Sequence, residues 1–194
     1  MHTRTAIRSL AVAAALAAGA PAPAGADTTL NPPPPDFYTC QTNGSGTVCH
    51  GKIAGSYVGG FDGTCPQGFD ILENGFVQET AARYYDRDGN LVRRVVHDRW
   101  IATAQNILYN SKTGKSVRFT TDITEFDTFA VPGDFGTVSA RFVGNHYSVT
   151  APGGGLLVHD VGVLGFGPDG SIVENHGPKM LLFGDTAELC AALA

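Results

Sequence analysis

The strongest constraint in this chain is a series of short, glycine-containing turn sequences that recur between segments of β-forming residues. Four of them stand out: Asp86 to Asn90, Asn110 to Gly114, Ala151 to Gly154 and Gly167 to Gly170. In each, glycine supplies a positive φ, while Asp, Asn or Pro favours the bend. The intervening segments are rich in Val, Ile, Phe, Thr and Tyr. Hairpins repeated in this way predict an antiparallel meander.

The segments around these turns are predicted to be strands. The expected strands cover 69–73, 76–86, 90–109, 115–129, 136–150, 155–167 and 171–183, with one more short strand near 53–58. A helix is expected at 186–193, with Asp185 as its N-cap and Glu188 completing a capping box. Closing such a sheet into a barrel removes its exposed edges. The predicted fold class is therefore all-β, an antiparallel up-and-down meander closed into a small barrel with a short C-terminal helix; a two-sheet sandwich is the alternative.

Residues 1–26 are expected to be a signal peptide and not part of the fold. Arg4 and Arg8 form a positively charged start, Leu10 to Ala20 is a short apolar stretch, and Ala24 to Ala26 fits an A-x-A cleavage site. The apolar stretch is shorter than the roughly 20 residues that a membrane-spanning helix needs. We therefore predict a secreted protein cleaved near Ala26, with a retained N-terminal anchor as the alternative.

The remaining sequence is divided into a Pro-rich spacer, residues 27–36, and a single domain, residues 37–194. Pro32 to Pro35 favour an extended polyproline conformation. A domain of this length buries about 70% of the surface of its unfolded chain, which is enough to form a core. The formal net charge of the whole chain is -5. This charge disfavours nucleic acid and anionic membranes as partners.

Four cysteines suit an exported protein with two disulfide bonds. The sequence allows three pairings, of which we favour Cys40 with Cys49 and Cys65 with Cys190. The first pairing closes a small loop whose centre, Asn43 to Gly46, can turn sharply. The second ties the start of the regular strands to the C-terminal helix. A zinc site is disfavoured because the chain contains no CxxC pair.

Hairpin geometry predicts which side chains face the interior, since the register decides the face that each residue takes. Centring the Asn110 to Gly114 turn between its third and fourth residues places Trp100 opposite Glu125 and Asn106 opposite Phe119. The same procedure at two other turns gives five further pairs: Phe76 opposite Trp100, Gln78 opposite Asp98, Ala82 opposite Arg94, His146 opposite His159 and Phe142 opposite Val163.

The predicted interior therefore combines an apolar majority with several polar side chains. Polar groups that converge in an apolar cavity are typical of a ligand site. Ionised groups there have to be paired, hydrated or shifted in pKa. The predicted ligand contacts are Phe76, Gln78, Arg94, Trp100, Phe119, Ile123 and Phe142. The candidate catalytic residues are Asp98, Glu125, His146 and His159.

Other interpretations of these polar residues stay open. Asp98 and Glu125 would need no functional explanation if they lay at the hydrated open end of the barrel, where Arg94 would pair with one of them. The two histidines would form an exposed cross-strand pair if their turn were centred one residue away. A metal site of two histidines and a carboxylate has suitable ligand types but little else in its favour. We expect neither a metal nor a cofactor.

The repeated hairpins, Cys65 at their start and the closing segment Gly184 to Cys190 give the chain from Cys65 to Ala194 a family resemblance. It resembles small secreted bacterial barrels of the calycin or allene-oxide-cyclase-like type. The resemblance implies a barrel that holds a small apolar molecule and, in some relatives, steers the cyclisation of a bound substrate. The Gly-x-Trp motif of lipocalins is absent, since the only tryptophan is Trp100, which follows Asp98-Arg99.

Three functional hypotheses follow. The leading one is a secreted, disulfide-stabilised β-barrel that binds a small, largely apolar molecule in its interior. The second is a cyclase or isomerase in which an internal carboxylate or histidine moves a proton. The third is a filled barrel that acts through its outer surface on another protein. The sequence does not identify the ligand or the oligomeric state.

Overall fold

The computed structural model describes residues 29–101, 103–179 and 181–194, and the predicted signal peptide lies outside these ranges. Within them, nine strands form one sheet: β1 (Thr39–Asn43), β2 (Gly46–Thr64), β3 (Asp70–Tyr85), β4 (Leu91–Trp100), β5 (Ile107–Asn110), β6 (Ser116–Phe129), β7 (Val138–Thr150), β8 (Leu156–Phe166) and β9 (Ile172–His176). Short 3₁₀ turns cover Phe135–Thr137 and Leu181–Phe183, and helix α1 covers Ala187–Leu193.

The strands follow one another through the sheet, and every pairing between them is antiparallel. Strands β4 and β5 share the neighbours β3 and β6, so they are two parts of one interrupted strand. The predicted all-β, up-and-down meander with a short C-terminal helix is confirmed. The sheet curls toward a barrel, but among the described residues β1 and β9 each pair with a single neighbour.

Several predicted elements differ from the structure, and the strands expected at 69–73 and 76–86 form one continuous strand, β3. The strand expected at 90–109 is interrupted, because β4 ends at Trp100 and β5 begins only at Ile107. The strand expected at 171–183 ends at His176 and is followed by a 3₁₀ turn. The largest difference is β2, which has 19 residues where only a short strand was expected. Its many glycines lower its intrinsic β-propensity, and pairing with β1 and β3 on both sides outweighs that preference.

A row of register shifts crosses the sheet and bends it. The shifts lie between Tyr57 and Gly60 in β2, between Thr120 and Asp122 in β6, and between Asn145 and Tyr147 in β7. The interruption after Trp100 falls in the same row. Bulges of this kind increase local twist and let a strand turn a corner. The row therefore increases the twist and curvature of the sheet along this line.

Two glycines lie beside this row on neighbouring strands. Gly144 and Gly162 pair with each other and have φ values of 135° and 114°. A Cβ on Gly144 would lie 2.3 Å from the carbonyl oxygen of Asp122, and one on Gly162 would lie 2.2 Å from that of His176. Only glycine fits such a backbone and such a close approach.

The curl is strong enough to bring side chains from distant strands together. Tyr147 of β7 donates a hydrogen bond of 2.9 Å to Oε2 of Glu73 in β3. These strands are three steps apart in the sheet, which in a flat sheet would separate them by roughly 14 Å at ~4.8 Å per step. The side of the sheet that carries this contact is therefore concave, and we call the other side convex.

Alternating residues of β6 show the two sides clearly. Val117, Phe119, Thr121 and Asp127 are buried on the concave side, while the residues between them are largely exposed. One end of the concave side holds the C-terminal cluster: Cys65, Phe69, Ile71, Leu108, Val117, Phe119, Val149, Val158, Leu181, Leu189, Cys190 and Leu193. The other end holds the N-terminal cluster: Cys49, Tyr85, Leu91 and Phe129, packed against Leu30, Tyr38, Cys40 and Val138.

Each cluster contains one disulfide bond. The predicted pairs Cys40–Cys49 and Cys65–Cys190 are both present. The first joins β1 to β2 in the N-terminal cluster. The second joins the end of β2 to α1 across a sequence separation of 125 residues. It anchors α1 over the C-terminal cluster.

The Pro-rich segment, predicted as a spacer, packs against the sheet. Tyr85 donates a hydrogen bond of 2.9 Å to the carbonyl oxygen of Pro32. The backbone of Asn31 bonds to Gly89 and Leu91. The ring of Tyr38 lies where a Cβ of Gly51 would otherwise project. This segment therefore covers the end of the concave side opposite α1.

Helix α1 begins one residue later than predicted. Its N-cap is Thr186 and not Asp185, and no side chain caps it. Leu189, Cys190 and Leu193 are buried against the sheet. Among the described residues, no helix has the length and hydropathy required to cross a membrane.

Replacing Gly162 by alanine tests the bend. We expect G162A to lower the free energy of unfolding by at least about 2 kcal/mol, because the methyl group meets the His176 carbonyl and the positive φ is unfavourable. Urea denaturation measures the change. In G153A, the matched control, the methyl group meets nothing within 4 Å, and stability should change by less than about 0.5 kcal/mol. Equal stabilities for the two variants would contradict the role assigned to Gly162.

Candidate functional site

Between the two apolar clusters, the concave side carries six charged residues, which we call the charged strip. They are Glu79 and Arg83 of β3, Arg94 and Asp98 of β4, and Glu125 and Asp127 of β6. Cross-strand pairing brings them together, since Glu79 pairs with Asp98 and Arg94 pairs with both Arg83 and Asp127. The strip thus holds four carboxyl groups and two guanidinium groups.

Arg94 is the centre of the strip. Its Nη2 donates to Oε1 of Glu125 at 2.9 Å, and its Nε donates to Oδ2 of Asp127 at 2.5 Å. The Asp127 side chain is only 1% exposed, so this is a largely desolvated, charge-assisted pair. One guanidinium group therefore bonds two of the four carboxyl groups, although Oδ1 of Asp127 is buried without a hydrogen-bond partner among the described residues.

Unlike Glu125 and Asp127, Asp98 forms no salt bridge with Arg94. Its Oδ1 is buried and has no hydrogen-bond partner among the described residues. Burial, reinforced by the nearby Glu79 carboxylate, raises the pKa of Asp98 to about 6. Burial also raises the pKa of Glu125 to about 7, although Arg94 opposes the shift. Both groups are thus suited to exchange protons near neutral pH.

Apolar side chains flank the strip on the same side of the sheet. Ile123 pairs with Asp98, and Phe142 pairs with Glu125. The Phe142 ring contacts Phe166 edge-on, with centroids 6.0 Å apart. Trp100 lies two residues from Asp98 and donates its Nε1 hydrogen to the Tyr57 hydroxyl at 2.8 Å. The strip is therefore bordered by aromatic and aliphatic surface.

A further buried carboxyl group, that of Glu73, was missed by the sequence analysis. Glu73 is 7% exposed, and the hydroxyls of Tyr57 and Tyr147 each donate to one of its two oxygens. Burial raises the pKa of Glu73 to about 7. Glu73 was expected at the end of a short strand, and no contact with β7 was foreseen. The alternation of Ile71, Glu73 and Gly75 in the sequence could have predicted its burial, because it places Glu73 on the buried side of β3.

The predicted pairing of Trp100 with Glu125 is wrong, although the predicted side is correct. Trp100 pairs with Thr121, four residues away from the expected partner, because strand pairing is interrupted between Trp100 and Ile107. Four is an even number, so the side chains keep their side of the sheet. Asn106 does lie opposite Phe119, whose backbone nitrogen donates to the Asn106 carbonyl at 3.1 Å.

The predicted interior positions of Phe76 and Gln78 are wrong. A register shift between Tyr84 and Tyr85 moves the β3–β4 pairing by one residue. Gln78 therefore pairs with Arg99 and not with Asp98. A shift of one residue reverses the side of every side chain beyond it. Phe76, Gln78 and Ala82 lie on the convex side, and Glu79 takes the predicted place of Gln78.

The two histidines do not meet. His159 pairs with Ser148, lies exposed on the convex side, and has its Nδ1 3.0 Å from the Ser148 hydroxyl. His146 is buried at the register shift in β7. Burial and the nearby Lys179 ammonium lower the pKa of His146. The predicted His146–His159 pair is therefore wrong.

Phe142 and Phe119 keep their predicted side but differ in access. Phe142 pairs with Leu164 and not with Val163, and it stays partly exposed next to the strip. Phe119 is 1% exposed inside the C-terminal cluster, under α1. A ligand on the strip can reach Phe142, whereas Phe119 is enclosed by its neighbours.

No three His, Cys, Asp or Glu side chains in the part of the chain described by the structure are arranged to hold a metal ion. The strip has carboxyl groups of the right type, but Arg94 occupies the space between two of them. The arrangement suits hydrogen bonding and proton exchange.

The raised pKa values make stability depend on pH in a defined direction. A carboxyl group whose folded pKa exceeds its unfolded value stabilises the fold below the unfolded pKa and loses this contribution as the pH rises through the folded value. The shifts of Glu73, Asp98 and Glu125 place this loss between about pH 4.5 and about pH 7. We expect the free energy of unfolding to fall by about 2 kcal/mol or more between about pH 5.5 and about pH 8.

Urea denaturation at the two pH values measures this change, and E73Q should remove about 2 kcal/mol of it. The matched control is E174Q, since Glu174 is an exposed carboxylate whose bond to Arg141 lowers its pKa. That variant should keep the full pH dependence. Stability that rises from about pH 5.5 to about pH 8 would show that these carboxyl groups are not shifted upward.

Comparison with protein-family models, with curated proteins and with solved structures finds no match to this chain. The function is therefore argued from the chemistry of the concave side alone.

Proposed function

We propose that this protein binds a small amphipathic molecule on the concave side of its sheet. The apolar part of the molecule contacts Trp100, Ile123 and Phe142. A hydrogen-bond donor or a cationic group contacts the charged strip, with Asp98 as its principal acceptor. The sequence led us to expect a largely apolar ligand, and the polarity of the strip changes that expectation.

The observation that carries the proposal is the unpaired oxygen of Asp98. This Oδ1 is buried and has no hydrogen-bond partner among the described residues. Leaving a buried acceptor unsatisfied costs about 1–3 kcal/mol, and more when the group is charged. Such a cost is uncommon in a folded protein and is often associated with a binding or catalytic role. A ligand donor that reaches Asp98 offsets it.

The balance of charge on the strip favours a donor or a cation over an anion. Four carboxyl groups face two guanidinium groups, and Arg94 is already bonded to Glu125 and Asp127. An anionic ligand would meet Glu79 and Asp98, which form no direct salt bridge with an arginine among the described residues. A purely apolar ligand would cover Asp98 without pairing it, which has its own cost. An amphipathic amine or alcohol satisfies both parts of the surface.

The titration of Asp98 and Glu125 supports a second candidate, an isomerase or cyclase that acts on the same molecule. Their pKa values of about 6 and about 7 lie close to neutrality, where a carboxyl group both donates and accepts protons. Asp98 is the better proton carrier, because Glu125 is held by Arg94. His159 takes no part, since it lies on the convex side.

Fluorescence titration tests the binding proposal. Trp100 is the only tryptophan, so energy transfer from it reports a dansyl group nearby. The probes are dansylcadaverine, which carries an ammonium group, its neutral N-acetyl derivative, and dansyl-6-aminohexanoate, which is an anion. We expect the amine to bind most tightly and the anion most weakly, with D98N weakening the amine about tenfold, or about 1.4 kcal/mol.

The matched control for this titration is E174Q, which removes a carboxylate paired with an arginine on the convex side. It should bind all three probes like the parent protein. Equal affinities for the amine and the anion, or an amine affinity that D98N leaves unchanged, would refute the proposed site.

The second candidate is tested by carbon-13 NMR of the Asp98 carboxyl group, which follows its protonation without a known substrate. We expect a midpoint about two pH units above the usual aspartate value of ~3.9. In E79Q the midpoint should fall, because a neighbouring negative charge is removed. A midpoint at or below the usual value would exclude Asp98 as a proton carrier near neutral pH.

A further inference from the structure

A chain of hydrogen bonds links Trp100 to the buried carboxyl group of Glu73. Trp100 donates its Nε1 hydrogen to the Tyr57 hydroxyl at 2.8 Å. The Tyr57 hydroxyl donates in turn to Oε1 of Glu73, and Tyr147 donates to Oε2 at 2.9 Å. The chain joins strands β4, β2, β3 and β7 on the concave side of the sheet. Trp100 is the member of this chain that the proposed function places against the ligand.

The direction of each bond in the chain follows from the chemistry of its groups. An ionised carboxylate only accepts, an indole N–H only donates, and a hydroxyl has one hydrogen to give. Because Glu73 takes the hydrogen of Tyr57, the lone pairs of the Tyr57 oxygen are left to accept from Trp100. The orientation of the Tyr57 hydroxyl therefore depends on Glu73.

The surroundings of Glu73 contain no competing charge among the described residues. No lysine, arginine or histidine there forms a salt bridge with it. Its partner on β5, Leu108, is apolar and fully buried. The groups that reach its oxygens are the hydroxyls of Tyr57 from β2 and Tyr147 from β7. The carboxyl group is thus free to orient these two hydroxyls.

The ring of Tyr57 has a place prepared for it on β3. Tyr57 pairs with Gly75, and a Cβ on Gly75 would lie 2.7 Å from Cε1 of Tyr57. The absence of a side chain at position 75 lets the ring lie across the backbone of β3. The hydroxyl then reaches Glu73 on one side and Trp100 on the other.

Trp100 needs such an anchor because of its position in the fold. It is the last residue of β4, and strand pairing resumes only at Ile107. The ring packs against the C-terminal cluster, and Asp98 lies two residues away on the same side of the sheet. The strand thus holds the backbone of Trp100 from one direction only, and the bond to Tyr57 fixes the ring.

We infer that Tyr57 and Glu73 are positioning residues, which hold the Trp100 ring in place as the aromatic wall of the ligand site. The inference rests on the proposed function, since it concerns the same ligand. The two residues act through Trp100. A wall that is already fixed loses little freedom when the ligand binds, so the bond to Tyr57 favours binding.

Proton–nitrogen NMR tests the positioning without any ligand. Trp100 is the only tryptophan, so the protein has a single indole N–H signal. We expect Y57F to move this signal and to speed its hydrogen exchange, because the indole loses its acceptor. Y147F is the matched control, since it also removes a hydroxyl bonded to Glu73 but leaves the bond to Trp100. It should leave the indole signal unchanged.

The pH dependence of the same signal tests the part played by Glu73. Burial raises the pKa of Glu73 to about 7. An ionised Glu73 polarises the Tyr57 hydroxyl and strengthens its bond to Trp100. The indole signal should therefore titrate near pH 7, and E73Q should abolish this step. D98N removes the titration of nearby Asp98, whose pKa is about 6, and should keep the step that belongs to Glu73.

The anisotropy of dansylcadaverine measures the effect on binding. Y57F should weaken the amine about fivefold, or about 1 kcal/mol, and Y147F should weaken it less than about twofold. Each variant loses one hydrogen bond to Glu73. Urea denaturation of both variants therefore shows whether a difference in affinity merely follows a difference in stability.

The results separate this inference from the proposed function. If D98N weakens the amine but Y57F binds it like the parent, the ligand site stands and the positioning role is wrong. An indole signal that is the same in Y57F and the parent, or that titrates alike in E73Q and the parent, also refutes the role. If no probe binds the parent, the proposed function fails, and the ligand part of this inference fails with it.

Discussion

The bend across the middle of the sheet is the constraint on which the rest of this structure depends. Register shifts in β2, β6 and β7 fall in one row, and Gly144 and Gly162 allow the strands beside it to approach closely. Without the bend, Glu73 and Tyr147 would lie on separate parts of a flat sheet. The two apolar clusters would not lie on one concave surface, and the charged strip between them would be ordinary solvated surface.

The charged strip follows from how the two ends of the concave side are filled. The Pro-rich segment and Tyr38 cover one end, and α1 with Leu181 covers the other. Only the middle remains for polar side chains, and one arginine there serves two carboxylates. Burial on the concave side is the largest cause of the raised pKa values of Glu73, Asp98 and Glu125.

The sequence predicts the hairpins, the disulfide pairs and the C-terminal helix, because turn residues and cysteines act locally. It does not predict bulges, which depend on tertiary contacts. One bulge beside Tyr85 puts Glu79 inside in place of Gln78, whereas the register shift of four residues at Trp100 leaves Trp100 on its predicted side. The length of β2 was underpredicted for a similar reason. Its glycines have a low β-propensity, and the strand is stabilised by pairing with its neighbours and not by its own residues. The relationship to calycin or allene-oxide-cyclase-like barrels stays a prediction.

Helix α1 has seven residues, fewer than a helix needs to persist alone in water. It is held by three buried side chains and by the bond between Cys190 and Cys65. In the sequence, most strands of the sheet lie between these two cysteines. How firmly α1 covers Phe119 therefore depends on the redox state of the surroundings. In an oxidising medium the disulfide bond holds the helix over the hydrophobic interior. Under reducing conditions only apolar contacts hold it there.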